Sequence, residues 1–370
     1  MYVKVVVTGG GSGGHIYPAL AIIDAMKRRV TPLEVLYVGA KQGLEQDVVP
    51  RHQVKLVTIH SKALLVSGYV SKMSGVLAAI RGLWEAMRIL RRFRPDVVVG
   101  TGGYVCGPVG LAAVLLGIPL VLQEQNVWPG YTNRKLASRA DSVLVPYEES
   151  RNNFPPHTKI RVVNNPVSIR LTESRDVARQ QLGVDPGITM LLATGGSQGA
   201  AALNHFLISW LPRLIEHPEW GLLWMTGKRY YPMVMQSLSG LDIDPKRIQV
   251  VEYFYEIQRY LLASDVFLGR AGAMSLADCI AFGLPAILVP SPNVSEDHQT
   301  RNAEVFMSRG AGDMVPESQL MDRGAETIER VLKSQDLRQR MAQSARALYN
   351  PNAESEIVEE IVKVVKGRGV

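Results

Sequence analysis

Short, unbroken apolar runs recur along the chain and alternate with segments whose apolar residues have helical spacing. Runs rich in Val, Ile and Leu without polar alternation are typical of parallel strands that helices cover on both faces. Regular alternation of strand and helix predicts an α/β fold with doubly wound parallel sheets. Eleven strands are predicted in two series: residues 3–7, 35–38, 54–58, 97–99, 120–123 and 142–145, then residues 190–193, 222–225, 248–251, 266–268 and 286–289.

The two series begin alike, which indicates two domains of similar fold. Each opens with a strand, a glycine loop and a helical pattern, in "VVVTGGGSGGH" and "LLATGGSQGAA". A chain of 370 residues is also long for one hydrophobic core. The Pro- and Asn-bearing stretch "VVNNPVSI" separates the series. We predict an N-terminal domain over 1–163, a second domain over 164–349, and a last helix, 350–370, that packs back on the first domain.

The charge balance narrows the range of partners. A net charge of +7 and a pI of about 9.3 suit phosphate-bearing ligands or an anionic membrane surface. No nucleic-acid-binding signature accompanies the charge, so no nucleic acid is expected as a partner. The cysteines, Cys106 and Cys279, belong to no metal-type cluster and indicate a reducing compartment. Without a recognisable signal peptide or a long apolar run, we expect a cytosolic protein.

The first glycine loop fits either a dinucleotide or another phosphate ligand. Gly9, Gly11 and Gly14 have the spacing of the dinucleotide fingerprint, and the helix start that follows favours negative charge. The fingerprint also requires an acid after the second strand, where this chain has Lys41, so an NAD-type site is disfavoured. His15, directly after the loop, is either a general base or a residue that only binds phosphate or caps the helix.

Two more glycine loops follow predicted strands, in residues 100–113 and 194–204. Ligands of doubly wound sheets bind at the carboxyl ends of strands, so three such loops favour two phosphorylated substrates. For the middle loop, tight turns or helix packing are an alternative explanation. The polar run 123–126 also ends a strand and offers the donors and acceptors that a sugar needs, unless it is only a polar loop.

The last polar cluster lies in residues 269–304. Arg270 follows a strand, and a short Ala-Gly-Ala turn leads into a helix that carries Ser275 and Asp278. A carboxylate on that helix is suited to bind both vicinal hydroxyls of a ribose. The next helix begins in "DHQTRNA" and offers Gln299. The second domain therefore has the elements of a nucleotide site of its own.

Taken in order, these stretches resemble one family closely. The matching pieces are "GGGSGGHIYPALAI", "VVGTGGYVCGPVGLAA", "GIPLVLQEQN", "NNPV", "GGSQGA", "RAGAMSLAD", "GLPAILVP" and "DHQTRNA". They span residues 9–303, which is most of the chain. The family is that of the MurG glycosyltransferases of GT-B fold, which add N-acetylglucosamine to the lipid-linked muramyl-pentapeptide of bacterial cell walls.

The resemblance implies two Rossmann-like domains that face a cleft, the first binding the acceptor and the second the donor. The donor would be UDP-N-acetylglucosamine, and the acceptor lipid I, an undecaprenyl-diphosphate-linked muramyl-pentapeptide. An inverting transfer to the muramyl 4-hydroxyl would form the β-1,4 bond of lipid II, without metal or cofactor. The resemblance further implies a part in peptidoglycan synthesis, cell shape and division. It also implies a peripheral location on the cytoplasmic face of the plasma membrane, and contact with other cell-wall synthesis or division proteins.

The resemblance also implies roles for individual residues. His15 is a candidate base for the proton of the muramyl hydroxyl, with Glu124 as rival or helper. The acceptor would contact Gly11, Gly103 and Tyr104. Ser12, Gly13 and Gly14 would approach both the donor sugar and the acceptor diphosphate. The donor would also contact a larger set: Asn126 at the sugar, Ser197 and Gln198 at the phosphates, Phe254 at uracil, Ala273, Met274 and Ser275 along the nucleotide, Asp278 at the ribose, Gln299 at the sugar hydroxyls, and Arg270, which would support either this wall or the phosphate.

Three positions depart from the family pattern. Gln123 stands where the family often has histidine, and an amide cannot act as a base. Ser168 stands where many members have a phosphate-binding arginine, which leaves Arg170 as a candidate replacement. Asp278 stands where members often have glutamate, so the charge is kept but the reach is shorter by one methylene.

Two segments are candidates for contact with the membrane that holds such an acceptor. Residues 74–96 predict a basic amphipathic helix with apolar positions that include Ile80, Trp84 and Leu90. A helix that faces the core and has a solvated basic side explains the same pattern. The preceding residues 61–73 are apolar, basic and loop-like, and are an equal candidate.

Two other activities fit part of the pattern. UDP-N-acetylglucosamine 2-epimerases share the two-domain fold and the donor, and a non-catalytic sensor of sugar nucleotides would need the same second-domain site. The membrane candidates and the first-loop histidine favour the transferase.

Overall fold

The chain forms two compact units in the computed structural model, which describes residues 2–61, 69–169 and 173–367 but not the side chains of 69–77 and Ser295. One unit comprises Met1–Ser168 and Asn350–Val370, and the other comprises Ile169–Tyr349. Each unit is built on its own parallel sheet.

The first unit contains a seven-stranded sheet in the order β3-β2-β1-β4-β5-β6-β7. Its strands are β1 Val3–Thr8, β2 Leu33–Ala40, β3 Lys55–Ile59, β4 Val97–Gly100, β5 Leu120–Gln123, β6 Ser142–Val145 and β7 Ile160–Val162. Its helices are α1 Gly13–Arg29, α2 Glu45–Arg51, α3 Tyr69–Phe93, α4 Gly103–Leu115, α5 Tyr131–Leu136 and the last helix of the chain, α14 Ala353–Lys366. Buried side chains of α1 and α14 cover one face of the sheet, and those of α3 and α4 cover the other.

The second unit contains a six-stranded sheet in the order β10-β9-β8-β11-β12-β13. Its strands are β8 Thr189–Thr194, β9 Trp220–Met225, β10 Ile248–Val251, β11 Val266–Gly269, β12 Ala286–Leu288 and β13 Gly312–Met314. Its helices are α6 Arg175–Leu182, α7 Ala201–Glu216, α8 Tyr231–Leu238, α9 Ile257–Ala263, α10 Ala273–Phe282, α11 His298–Ser308, α12 Leu320–Lys333 and α13 Gln335–Ala347.

The predicted doubly wound α/β fold is confirmed, and each predicted strand is present. The sequence missed β7 and β13, which lie at sheet edges, have three half-buried residues each and contain no purely apolar run. The helix predicted over 74–96 begins earlier, at Tyr69, and ends at Phe93. It ends there because Arg94 adopts a φ of +53° and Pro95 follows, which disfavours further helix.

Strand order fixes where a ligand site is expected. In each sheet the order reverses once, between β1 and β4 in the first unit and between β8 and β11 in the second. The carboxyl ends of the strands at such a switch point form the ligand site of doubly wound sheets. The first and second glycine loops follow β1 and β4, and the third follows β8. Among the described residues, no helix is both long and apolar enough to cross a bilayer.

Candidate active site

The first two glycine loops contact each other through their backbones. Gly103, with a φ of +79°, lies so close to the Gly10 carbonyl that a side chain there would collide with it. Gly102 has a φ of +101° and lies against the ring of His15. Glycine is therefore required at both positions by backbone conformation and close approach. This packing accounts for Gly103 without a ligand, so its contact with the acceptor stays a prediction.

His15 lies in the first turn of α1, and one of its ring nitrogens is occupied by hydrogen bonds within the protein. Its Nδ1 is 3.0 Å from the Thr101 carbonyl oxygen and 3.0 Å from Gln125 Oε1. Because both partners are acceptors, Nδ1 carries the hydrogen, and Nε2 of the neutral ring has the lone pair. The Gln125 amide is oriented by donating from Nε2 to Thr101 and to Gln123. The half-buried histidine is thus arranged to accept a proton at Nε2.

Glu124 is fully buried, and both of its carboxylate oxygens are occupied. It accepts five hydrogen bonds of 2.9 to 3.0 Å, from backbone N–H groups of Gln125, Asn126 and Gly130 and from the side-chain amides of Asn126 and Asn133. A carboxylate has about four lone-pair sites, so none is left for a substrate proton. The geometry disfavours Glu124 as the base and makes it the residue that fixes this loop.

A buried acid that sequence reasoning missed lies beside the first loop. Glu45, the first residue of α2, has no exposed surface, and its Oε1 accepts a 3.0 Å hydrogen bond from the Ala40 N–H. A side chain at Gly10 or Gly43 would collide with this carboxyl group. Its Oε2 has no hydrogen-bond partner within the described part of the chain. The only signal in the sequence is an acid five residues after the end of β2, and that acid resembles any helix-start residue.

The other residues expected in the first unit lie around the same loop. Tyr104 packs its ring over Gly11, which has a φ of +91°. Ser12 is the N-cap of α1, and Gly13 and Gly14 are its first helical residues. Helix starts leave N–H groups without an intrahelical partner, which favours a bound anion.

In the second unit, the third glycine loop is a tight turn before α7. The Gly196 N–H donates to Thr194 Oγ1 at 3.0 Å, and the Gly199 N–H donates to the Gly196 carbonyl at 2.8 Å. This turn holds Ser197, half-buried, and Gln198, exposed, just before the first turn of the helix. The arrangement is suited to a phosphate group.

Asp278 lies one turn into α10, after Ala273, Met274 and Ser275 in its first turn. Asp278 is half-buried, and desolvation raises the pKa of its carboxyl group to about 7. It forms no hydrogen bond or ion pair with any residue that the structure describes. Phe254, expected at uracil, is buried, and its backbone N–H donates to a methionine sulfur at 3.2 Å.

Arg270 and Gln299 are both held by their surroundings. Arg270 donates to the Val289 carbonyl at 3.1 Å and forms an ion pair with Glu317, so it holds the loop after β12 in place. Gln299 Oε1 accepts a 2.8 Å hydrogen bond from the Ser291 N–H, which orients the amide and leaves its Nε2 as the donor for a ligand.

Some expectations stay untested. Arg170 and most of the candidate membrane segment, residues 62–68, lie outside the described residues. Lys41 does follow β2, so the acid of a dinucleotide site is missing in the structure as in the sequence. Across the described ranges, no three His, Cys, Asp or Glu side chains are grouped to hold a metal ion.

Known proteins resemble the chain over its whole length. It matches the family models Glycosyltransferase family 28 N-terminal domain, over residues 5–145, and Glycosyltransferase family 28 C-terminal domain, over residues 190–361. It is 40% identical over 368 residues, 98% of this chain and 99% of the relative, to the UDP-N-acetylglucosamine–N-acetylmuramyl-(pentapeptide) pyrophosphoryl-undecaprenol N-acetylglucosamine transferase of Moorella thermoacetica. The transferase of the same name from Desulforudis audaxviator is 38% identical over 99% of both chains. The crystal structure of Acinetobacter baumannii MurG superposes with a TM-score of 0.77 at 28% identity, covering 98% of this chain and 99% of that one. The chain therefore belongs to glycosyltransferase family 28.

Proposed function

We propose that this chain transfers N-acetylglucosamine from UDP-N-acetylglucosamine to undecaprenyl-diphosphate-linked muramyl-pentapeptide, and so makes the lipid-linked disaccharide precursor of peptidoglycan. The observation that carries the proposal is the 40% identity over 98% of the chain to a transferase of that name. The oriented His15, with a lone pair on Nε2, supports a transfer that requires a base.

The first unit is assigned to the acceptor. Its two glycine loops present backbone N–H groups at the starts of α1 and α4, where a diphosphate is favoured electrostatically. Tyr104, Gly11 and Gly103 line this region and are our candidates for acceptor contact. Binding the diphosphate there brings the adjoining muramyl sugar toward His15.

The chemistry is one displacement. His15 Nε2 accepts the proton of the muramyl 4-hydroxyl as the oxygen forms a bond to the anomeric carbon of the donor sugar. The bond from that carbon to the UDP oxygen breaks, and UDP leaves with the electron pair. A single displacement inverts the configuration at the anomeric carbon. Glu124 acts as a positioning residue, because it fixes the loop that carries Gln125, the hydrogen-bond partner of the histidine.

The second unit is assigned to the donor nucleotide. Ser197 and Gln198, before the start of α7, are placed for the diphosphate. Asp278 has a carboxylate without a protein partner in the described part of the unit, and both ribose hydroxyls are able to donate to it. Gln299 Nε2 is the matching donor for a sugar hydroxyl. Arg270 is assigned to support of this wall, since carbonyl oxygens and an acid already hold it.

The exposed face of α3 is our candidate for contact with the membrane. Ile80 and Trp84 are each 62% exposed, and Arg81 and Arg88 lie beside them in the helix. The Arg88 guanidinium lies over the Trp84 ring at 5.7 Å. Exposed apolar side chains among cations are typical of peripheral binding to an anionic surface, here the cytoplasmic face of the plasma membrane. Contact with other cell-wall proteins stays a prediction.

One assay tests the proposed reaction. The protein is supplied with UDP-N-acetylglucosamine labelled in the sugar and with a lipid I analogue, and the label is followed. We expect label in the lipid-linked product and an equal amount of UDP. Label recovered only as an epimerised sugar would favour the epimerase, and nucleotide binding without turnover would favour the sensor.

A further inference from the structure

Two basic side chains, those of Lys41 and His60, contact each other at the carboxyl edge of the first sheet. Lys41 follows β2 and His60 follows β3, neighbouring parallel strands whose register pairs Ala40 with Ile59. The Lys41 Nζ lies 3.2 Å from His60 Nε2. In the described part of the chain, no carboxylate lies within ion-pair distance of Lys41. An ammonium group donates best to an anion, so this contact leaves its charge uncompensated.

The ring of His60 is held in place from α3. Its Nδ1 lies 2.7 Å from Glu85 Oε1, and its backbone N–H donates to Glu85 Oε2 at 2.7 Å. Gly82 allows the helix to approach, because a side chain there would collide with the His60 carbonyl. Since Nδ1 donates to the carboxylate, Nε2 is the nitrogen left to meet a ligand beside Lys41. A ring that carries both protons donates at both nitrogens.

The pair is connected to the glycine loops on one side. The Ser61 hydroxyl donates to the Tyr104 carbonyl at 2.8 Å, and the Tyr104 hydroxyl donates to the Gln42 carbonyl at 3.3 Å. The Tyr104 ring packs over Gly11 of the first loop. On the other side, Glu85 belongs to α3, the helix with the exposed apolar face. Lys41 and His60 therefore lie between the glycine loops and the candidate membrane contact.

We propose that Lys41 and His60 form a subsite for a phosphate group of the lipid-linked acceptor. The inference rests on the proposed function, because only an acceptor that joins a diphosphate to a membrane lipid extends between these two surfaces. A phosphate oxygen beside the pair accepts a charge-assisted hydrogen bond from Lys41 Nζ, and a second one from His60 Nε2 when that ring carries both protons. An anionic phospholipid headgroup offers the same chemistry, and the experiment separates the two sources.

The test measures initial rates with a short-chain lipid I analogue in detergent without phospholipid, and again in phosphatidylglycerol–phosphatidylethanolamine vesicles. The variants are Lys41→Ala and His60→Gln. The matched control is Lys55→Ala, an exposed lysine at the opposite end of β3. In detergent we expect the acceptor KM to rise about 10-fold in each variant, while kcat and the donor KM stay within about 2-fold of the parent. The acceptor KM of the Lys55→Ala control should not change. Lys41→Arg keeps a cation and should recover most of the affinity.

Two outcomes overturn the subsite. An acceptor KM that is unchanged in both media removes Lys41 and His60 from phosphate binding. A rise confined to vesicles assigns the pair to a phospholipid headgroup instead. The His60→Gln variant also loses the contact with Glu85 and for that reason could fail to fold. In that case the Lys41→Ala variant, which changes only an exposed side chain, decides the test. Failure of the parent protein to transfer label at all contradicts the proposed function and is distinguishable from both.

Discussion

His15 keeps one ring nitrogen for chemistry because Thr101 and Gln125 fully occupy the other. We expect His15→Ala to lower kcat about 1,000-fold, while the dissociation constant for UDP-N-acetylglucosamine changes less than about 2-fold. The reason is that a general base acts in the transition state and not in donor binding. Steady-state rates with a lipid I analogue and a donor titration measure the two quantities.

His205 offers a matched control for this substitution. It is an exposed histidine on α7, and we place it in no site, so His205→Ala should keep the parent kcat. A His15→Ala enzyme that turns over at the parent rate would remove the histidine from the chemistry.

Asp278 is half-buried, no cation in the described part of the chain pairs with it, and desolvation raises its pKa from 3.8 to about 7. Between those values the folded protein holds a proton that the unfolded chain releases, so the stabilisation is lost as the pH rises through 7. We expect Asp278→Asn to raise the melting temperature by about 2–4 °C at pH 8 and by less at pH 5. Because an amide nitrogen cannot accept a hydroxyl hydrogen, UDP should bind about 10-fold more weakly at pH 8.

Calorimetry at the two pH values and titration with UDP measure these effects. Asp242→Asn, in an exposed loop, is the control and should change neither quantity. Equal stabilisation of Asp278→Asn at pH 5 and pH 8 would exclude the buried charge as its cause.

Sequence reasoning identified residues at loops and missed residues whose roles depend on their partners. His15 and Asp278 were found because each follows a glycine-bearing turn at the end of a strand. The part played by Glu124 was not predictable, since its five donors come from backbone and amide groups that only the folded loop gathers. Glu45 was missed because its burial depends on the close approach of the first glycine loop, where Gly10 leaves room for its carboxyl group.

The same distinction applies to the secondary-structure elements. Those that a local sequence pattern determines were predicted, and those that depend on tertiary packing were not. Unbroken apolar runs predicted the central strands, whereas β7 and β13 carry polar residues at sheet edges and give no such signal. For α3, the sequence left open whether its apolar positions face the core or a membrane. The structure separates them: Leu90 is buried, while Ile80 and Trp84 are exposed.

The exposed face of α3 predicts a specific loss of membrane binding. We expect the double substitution Ile80→Gln and Trp84→Gln to weaken binding to phosphatidylglycerol vesicles at least about 10-fold, because the apolar area available for insertion is lost. Transfer to a detergent-solubilised lipid I analogue should be retained, since neither residue lies in the site. Vesicle sedimentation and the detergent assay measure the two effects.

Met321→Gln is the control for this face, because Met321 is 60% exposed on α12 of the other unit. Its variant should bind vesicles as the parent does. If the α3 variant binds vesicles as well as the parent does, the exposed face of α3 is an ordinary solvated surface without a role in membrane binding.

At the scale of the whole molecule, the chain leaves the first unit after Ser168 and returns to it at Asn350. The returning helix α14 packs against α1, and Ile357 and Ile361 are fully buried in the core that the two helices share. Ion pairs of Arg28 with Glu354 and of Arg161 with Glu356 and Glu360 connect this helix to the rest of the unit. The first unit therefore contains α14, which the chain contributes after the second unit.

This return predicts that a substitution near the C-terminus disables the acceptor unit and spares the nucleotide unit. We expect Ile357→Asp to destabilise the first unit by at least about 3 kcal/mol, because it buries a carboxylate in an apolar core. Lipid I transfer should be lost at 37 °C while UDP still binds and still raises the melting temperature of the second unit. Calorimetry with and without UDP measures this, and Glu359→Ala, an exposed neighbour on α14, is the control. Loss of UDP binding together with transfer would mean that the two units unfold as one, since Ile357 has no part in the second sheet or its loops.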